Sequence, residues 1–136
     1  MSDHTQARIL LQAAQRDLSA LNAMLKLEGF ADEIFGFHVQ QAVEKSLKAW
    51  LSALGKTYPY THDINFLLGK LEDAGCDISI HRHFVIYTSF ASEVRYVGLE
   101  EDAEPIDREN AVAQAQKLYA QISKISQPIA DKDLGE

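Results

Sequence analysis

The chain has 136 residues, a single cysteine and a formal net charge of −7 at pH 7. This length is enough to bury a sizeable core, Cys76 alone excludes an internal disulfide, and the acidic balance argues against a protein that binds long polyanions through clustered Lys and Arg. No apolar run approaches the roughly 20 residues needed to cross a bilayer, and no signal sequence precedes the first helix. We therefore expect one cytoplasmic domain over residues 1–136, with an ordered core of about 5–126 and a polar tail over 127–136.

Two long helices are predicted in the first part of the chain. The first runs from Gln6 to Leu27 and is followed by a glycine, Gly29, which suits a left-handed helix end. Its apolar residues at helical spacing are Leu10, Ala14, Leu18, Leu21 and Leu25. Asp32 is expected to cap the second helix, which runs to Leu54 and stops at Gly55. The short connection predicts that these two helices are antiparallel neighbours.

Three further helices follow. Thr61 is expected to cap a short third helix that ends near Gly75, and Asp77 or Ser79 to cap a fourth that ends at Arg95 and Tyr96. Their apolar stripes are Ile64, Leu67, Leu68 and Leu71 in the third, and Phe84, Tyr87, Phe90, Ala91 and Val94 in the fourth. Pro105 suits the first turn of a last helix that runs to about Ile125, before Pro128 and the tail. The predicted fold class is all-α, an up-and-down four-helix bundle with an additional fifth helix.

The second helix has two different faces. Its core stripe is formed by Phe35, Val39, Ala42, Val43, Leu47, Trp50 and Leu54, and its polar side by Gln41, Glu44, Lys45 and Lys48. Phe37 projects among the polar residues and Leu51 lies at their edge, which leaves two interpretations. The polar side is either a solvated face with intrahelical ion pairs, or the rim of a two-fold contact in which Phe37 and Leu51 pack against a second copy of the chain.

Arg95 is the group best suited to hold an anion, because its planar guanidinium grips phosphate through two hydrogen bonds. The alternative role is that of a cation at a helix C-terminus. Acidic residues crowd the sequence that follows, and we interpret them as a solvated loop and helix start rather than a cation site: Glu100, Glu101, Asp102, Glu104, Asp107 and Glu109, set around Arg108.

The sequence gives little support for a metal site or for an activated nucleophile. His81 and His83 lie two residues apart, and His62 is adjacent to Asp63, but neither spacing brings two imidazoles onto one ion from a helix face. His62 is expected to begin the third helix and to hydrogen-bond to a loop. Cys76 has no partner base in sequence, and no glycine-rich phosphate loop is present. We expect no metal and no cofactor.

Three successive stretches carry a family resemblance: FHVQQAVEKSLKAWL, YPYTHDINFLL and EVRYV. In that order, over about Ala7 to Ile125, they resemble the HEPN domain (higher eukaryotes and prokaryotes nucleotide-binding), in its branch of small stand-alone prokaryotic proteins. The resemblance implies a five-helix all-α bundle, a homodimer, and a partnership with a minimal nucleotidyltransferase in a toxin–antitoxin-like pair.

The resemblance also implies candidate site residues. Many HEPN proteins are metal-independent ribonucleases that use an Arg followed, four to six residues later, by a His at the dimer cleft. Arg95 matches that arginine, but residues 96–102 contain no histidine. We therefore predict a nucleotide- or substrate-binding protein, with ligand-binding residues Arg95, Tyr96, Lys45, Lys48, Gln41 and Glu44. The alternative is an endoribonuclease with a degenerate site, in which Arg95 acts with His62 or His38 on RNA.

Overall fold

The computed structural model of the chain describes residues 4–91 and 105–134, with side chains as far as residue 126. Its helices are α1 (His4–Lys26), α2 (Asp32–Ala53), α3 (Ile64–Asp73), α4 (Ser79–Phe90) and α5 (Arg108–Leu134). These described residues include no strand. The predicted all-α class, a four-helix bundle with an additional fifth helix, is confirmed.

The helix α2 is the centre of the fold, because it contacts each of the other four helices. Its predicted stripe is buried from Phe35 to Trp50, and side chains of all five helices join it in one apolar core. Leu54 is the exception at 38% exposure, since it lies one residue beyond the helix end. Burial against four neighbours leaves little of α2 at the surface.

The antiparallel pairing of α1 with α2 is visible in the order of their side-chain contacts. Gln6, near the start of α1, donates to Tyr58 Oη at 3.2 Å, beyond the end of α2. Asp17, in the middle of α1, contacts Lys45 in the middle of α2. The buried side of α1 starts at Ala7 and includes Leu18 and Leu21 as predicted, whereas Leu25 is 36% exposed and does not belong to it.

The helix ends follow the predicted glycines more closely than the predicted caps. Gly29, Gly55 and Gly75 adopt φ values of 99°, 75° and 92°, the left-handed region that favours glycine after a helix. The N-terminal caps differ from prediction. Residue 31 is the cap of α2, with no side-chain hydrogen bond, and Asp63 rather than Thr61 caps α3, accepting from the amides of residues 65 and 66.

The helix α4 is a 3-10 helix, not the α-helix that we predicted. Its buried side chains are His81, Phe84, Tyr87 and Phe90, so one residue in every three faces the core. A 3-10 helix has three residues per turn and eclipses such side chains on one line. Neither predicted cap of this helix is its N-cap: that position is residue 78, which has no side-chain cap hydrogen bond. Asp77 accepts from the amide and the hydroxyl of Ser79.

The end of α4 packs directly on α2 through a glycine. A Cβ atom placed on Gly36 would lie 2.6 Å from two atoms of the Phe90 ring, closer than real side chains approach. Glycine at this position therefore allows the ring to lie against the α2 backbone. This contact lies at the last residue of α4.

The helix α5 is tied to the start of α2 by an ion pair. Arg108 donates to Asp32 Oδ1 at 2.7 Å and to the carbonyl of Phe30 at 2.6 Å, and its guanidinium lies 4.9 Å from the centre of the Phe35 ring. Asp32 also accepts from the amide of residue 106. The predicted cap of α2 therefore binds α5 instead of its own helix.

The predicted end of the last helix at about Ile125 is wrong. The backbone of α5 continues past Ile125 to Leu134, with Pro128 inside it. A proline lacks one amide donor and so weakens a helix at one hydrogen bond. That single loss does not stop this helix.

Candidate functional site

The polar side of α2 is organised around the buried carboxylate of Glu44, which is 4% exposed. Lys48, one turn further along α2, donates to Glu44 Oε2 at 2.9 Å. His62 Nδ1, in the loop before α3, lies 2.8 Å from Glu44 Oε1, and Gln40 Nε2 donates to the same oxygen at 2.7 Å. One buried carboxylate thus accepts from three side chains. We call Glu44, Lys48, His62 and Gln40 the Glu44 cluster.

The environment of Glu44 keeps it ionised. Burial alone would raise the pKa of this carboxyl, but the hydrogen bonds from Lys48, Gln40 and His62 outweigh burial and lower the pKa. A carboxylate can only accept hydrogen bonds, so the Nδ1 atom of His62 carries the hydrogen between them. The other ring nitrogen, Nε2, then points away from Glu44, on a side chain that is 40% exposed.

A second carboxylate, Asp17, holds the other half of the polar side from α1. Asp17 is 9% exposed. Its Oδ2 atom accepts from Lys45 Nζ at 2.7 Å, and its Oδ1 atom lies 3.0 Å from His38 Nδ1. These contacts join residues 28 and 21 positions apart in the chain. Two histidines, His38 and His62, are therefore each held through Nδ1 by a buried carboxylate.

Both lysines predicted to help bind a ligand have protein partners. The predicted intrahelical pair between Glu44 and Lys48 is confirmed, but it is buried and not solvated. Lys48 also lies 5.5 Å from the centre of the Tyr58 ring. Lys45 pairs with Asp17 of α1 instead of with its own helix. The positive charges of both lysines are thus balanced within the chain.

The predicted binding residue Gln41 belongs to the same network at its edge. Its Nε2 donates to Gln40 Oε1 at 2.6 Å, and Gln40 Nε2 in turn donates to the backbone carbonyl of His62 at 3.1 Å. Hydrogen bonds of these two side-chain amides therefore connect α2 to the loop before α3. His62 itself precedes the cap of α3 and bonds to α2, whereas we predicted that it would begin α3 and bond to a loop.

The two predicted interface residues have different surroundings. Leu51 is fully buried in the chain's own core, at 0% exposure, so the prediction that it packs on a second copy is wrong for this fold. The reason is that Leu51 belongs to the apolar core to which side chains of all five helices contribute. Phe37 is half-buried against the core and meets the His38 ring edge-on, with centroids 5.4 Å apart. Part of the Phe37 side chain therefore remains outside the core.

Arg95 and Tyr96, the predicted anion-binding pair, lie outside the described residues. The same holds for Val94 and for the acidic stretch from Glu100 to Glu104. Of the remaining predicted acids, Asp107 accepts from the amide of residue 110 in the first turn of α5, the ordinary role of an acid at a helix start.

We interpret His81 and Cys76 as structural residues. The His81 ring is buried between Trp50 and Phe84, and burial lowers the pKa of this imidazole. Burial raises the pKa of the Cys76 thiol, which makes it a weaker nucleophile. Within residues 4–91 and 105–126, no three His, Cys, Asp or Glu side chains are grouped so that they could hold a metal ion.

A shallow cavity of about 180 Å³ lies apart from the polar side of α2, between the ends of α2 and α3. It is lined by Lys56, Thr57, Lys70, Asp73 and Ala74. Two lysines suggest an anion, but the cavity faces two helix C-termini, whose free carbonyls carry partial negative charge. Lys56 and Lys70 are better explained as counter-charges to those helix ends.

Sequence reasoning missed Asp17, Gln40 and the two tyrosines of the loop before α3. Asp17 carried a usable signal, because a charged residue beside Leu18 falls on the buried side of α1. Gln40 is fully buried and its neighbour Gln41 is not, which the helical period alone separates poorly. Tyr58 and Tyr60 gave no signal beyond their place in a proline-containing loop.

No helix among the described residues is both long enough and apolar enough to cross a membrane. Searches of curated proteins and of solved structures gave no match to this chain. A protein-family model described as the HEPN domain matches residues 7–125, a range that includes the whole polar side of α2 and the loop before α3. On that match, the chain belongs to the HEPN domain family.

Proposed function

We propose that this protein is a homodimeric partner of a minimal nucleotidyltransferase, in a toxin–antitoxin-like pair, and that it binds a nucleotide or the substrate of that enzyme. The family membership supports the class of partner. The observation that carries the binding role is that two imidazoles, His38 of α2 and His62 of the loop before α3, are each held by a buried carboxylate. Each ring is fixed in orientation before any ligand arrives, which lowers the entropic cost of binding.

The charges on this face favour a small ligand over a long polyanion. Glu44 and Asp17 balance Lys48 and Lys45, so the face offers directed hydrogen bonds and little excess positive charge. Affinity for a nucleic-acid backbone depends on unbalanced Lys and Arg, and the chain carries a net charge of −7. A single nucleotide needs only a few contacts of defined geometry.

Calorimetric titration tests the binding role. The purified protein is titrated with ATP, GTP, AMP and GMP, alone and together with a minimal nucleotidyltransferase. Arg95→Ala tests the predicted phosphate contact, and His83→Gln, on the exposed side of α4, is the matched control. We expect saturable binding that Arg95→Ala weakens and His83→Gln leaves unchanged. No binding to any of the four nucleotides, with or without the enzyme, refutes the nucleotide part of the proposal.

A second function, metal-independent cleavage of RNA, is favoured by one observation. An imidazole held at Nδ1 by a carboxylate is the arrangement in which histidine transfers protons through Nε2, and both His38 and His62 have it. Labelled RNA in metal-free buffer is the assay, with His38→Gln, His62→Gln and Arg95→Ala as variants. Cleavage lost in Arg95→Ala and in one histidine variant would support a ribonuclease. No cleavage by the wild type leaves the binding role in place.

A further inference from the structure

The loop between α2 and α3 presents an aromatic ring that the core does not use. Tyr60 is 92% exposed, the highest value among the exposed large apolar residues of the described chain. Its ring meets the His62 ring edge-on, with centroids 5.4 Å apart and planes at 71°. Single exposed apolar residues are common and need no explanation. The neighbour of Tyr60 distinguishes it, because His62 belongs to the Glu44 cluster.

The backbone around Tyr60 and His62 is anchored on both sides. The carbonyl of His62 accepts from Gln40 of α2 at 3.1 Å, while its ring bonds to Glu44 at 2.8 Å. The next residue, Asp63, caps α3, and its amide donates to Thr61 Oγ1 at 3.1 Å. The imidazole thus has a fixed position and direction, and the tyrosine ring stands beside it in solvent.

These two rings offer different chemistry to one ligand. The open face of a tyrosine ring stacks with a nucleobase. The Nε2 atom of His62 donates a hydrogen bond to a phosphate oxygen when the ring is an imidazolium, since Nδ1 already carries a hydrogen toward Glu44. Glu44 and Lys48 balance each other, so the imidazolium contributes the charge that the phosphate meets.

We propose that Tyr60 and His62 form a mononucleotide subsite, in which the base stacks on Tyr60 and the phosphate accepts a hydrogen bond from His62 Nε2. The subsite deepens the proposed function and rests on it, because it names the ligand class and the place of binding.

Three ligands separate the two contacts: AMP has base and phosphate, ribose 5-phosphate lacks the base, and adenosine lacks the phosphate. Tyr60→Ala should weaken AMP binding by roughly 5- to 150-fold, the range measured for loss of one base stack, and leave ribose 5-phosphate binding unchanged. Tyr60→Phe keeps the ring and should bind AMP like the wild type. His62→Gln should weaken AMP and ribose 5-phosphate alike and spare adenosine.

Control variants complete the test. Phe30→Ala removes another exposed ring, on the connection between α1 and α2, and His83→Gln removes another exposed imidazole. Neither variant should change AMP binding. Unfolding midpoints of all variants verify that they fold.

The outcomes distinguish this inference from the proposed function. A wild type that binds AMP, with Tyr60→Ala and His62→Gln binding equally well, overturns the subsite and leaves the proposed function standing. A His62→Gln variant that binds ribose 5-phosphate as tightly as the wild type overturns the phosphate contact. A wild type that binds no nucleotide, alone or with the nucleotidyltransferase, overturns both proposals.

Discussion

Replacing Glu44 by alanine should be among the most damaging single changes that this fold can receive. The substitution leaves Lys48 as an uncompensated charge whose side chain is 11% exposed, and it removes the acceptor used by Gln40 and His62. Gln40 is fully buried, so water cannot replace the lost partner there. The damage therefore comes from stranded neighbours more than from the lost pair itself.

The expected loss in free energy of unfolding is about 3–5 kcal/mol, the cost of removing one partner of a buried ion pair. A matched control exists in the exposed pair of Glu72 with Arg82, whose side chains are 58% and 56% exposed. Because solvent screens that pair, Glu72→Ala should cost less than about 1 kcal/mol. Replacing Glu44 by leucine together with Lys48 by methionine should recover part of the loss, since the stranded charge is gone.

Urea denaturation followed by circular dichroism measures these changes at one fixed protein concentration. The order of stability expected is wild type, then Glu72→Ala close behind, then the double variant, then Glu44→Ala. A Glu44→Ala protein as stable as Glu72→Ala would refute the view that a buried Glu44 cluster holds the polar side of α2 together.

Three further changes test other parts of the structure. Gly36→Ala should lower the free energy of unfolding by roughly 1–3 kcal/mol, the cost of overpacking, because the new Cβ would meet the Phe90 ring. Gly69→Ala, whose Cβ would have nothing within 4 Å, should instead raise the free energy of unfolding in the same urea titration. Equal effects of the two substitutions would contradict the Phe90 contact. The pKa of Glu44 is lower in the folded protein than the ordinary glutamate value of 4.5, so ionised Glu44 stabilises the fold fully above pH 4.5 and loses this effect as the pH falls through the folded pKa. The free energy of unfolding measured from pH 6 to pH 3 should therefore fall more steeply in the wild type than in Glu44→Gln. Parallel curves for the two proteins would contradict a lowered pKa of Glu44. Phe37→Glu should shift a dimer toward monomer on size exclusion with light scattering, since a charge would enter the proposed contact; a wild type that is already monomeric would remove the interface.

The features set by local sequence could be predicted. Helix ends at Gly29, Gly55 and Gly75 follow from the freedom of glycine at positive φ, and the structure has all three. The core stripe of α2 and the pair of Glu44 with Lys48 follow from helical spacing alone. Such features need no knowledge of what lies across the chain.

Features that depend on distant parts of the chain could not be predicted in the same way. The partners of Asp17 lie 21 and 28 residues away, and nothing near Asp32 in sequence shows that Arg108 will bind it. Leu51 was placed at the edge of a polar side because its neighbours on the helix are polar, yet it is fully buried in the apolar core.

The three-residue spacing of the buried side chains in α4 was missed, because the sequence was compared with the period of an α-helix. Ile78, His81, Phe84, Tyr87 and Phe90 are buried at intervals of three, which matches a 3-10 helix and departs from an α-helix by more than half a residue each turn. The prediction assigned Ala91 and Val94 to the stripe and left out His81. From the sequence, His81 was considered only as a possible metal ligand, whereas its ring packs on Trp50.

Imidazole NMR tests most directly whether a nucleotide binds at the histidines that the buried carboxylates hold. The five histidine rings are labelled with ¹³C and ¹⁵N, assigned by single substitution, and followed as AMP is added. The expected result is a saturable shift of the His62 ring signals, with the buried His81 and the exposed His83 unmoved. Saturating AMP that leaves both His62 and His38 unmoved would contradict a binding site on this face of α2.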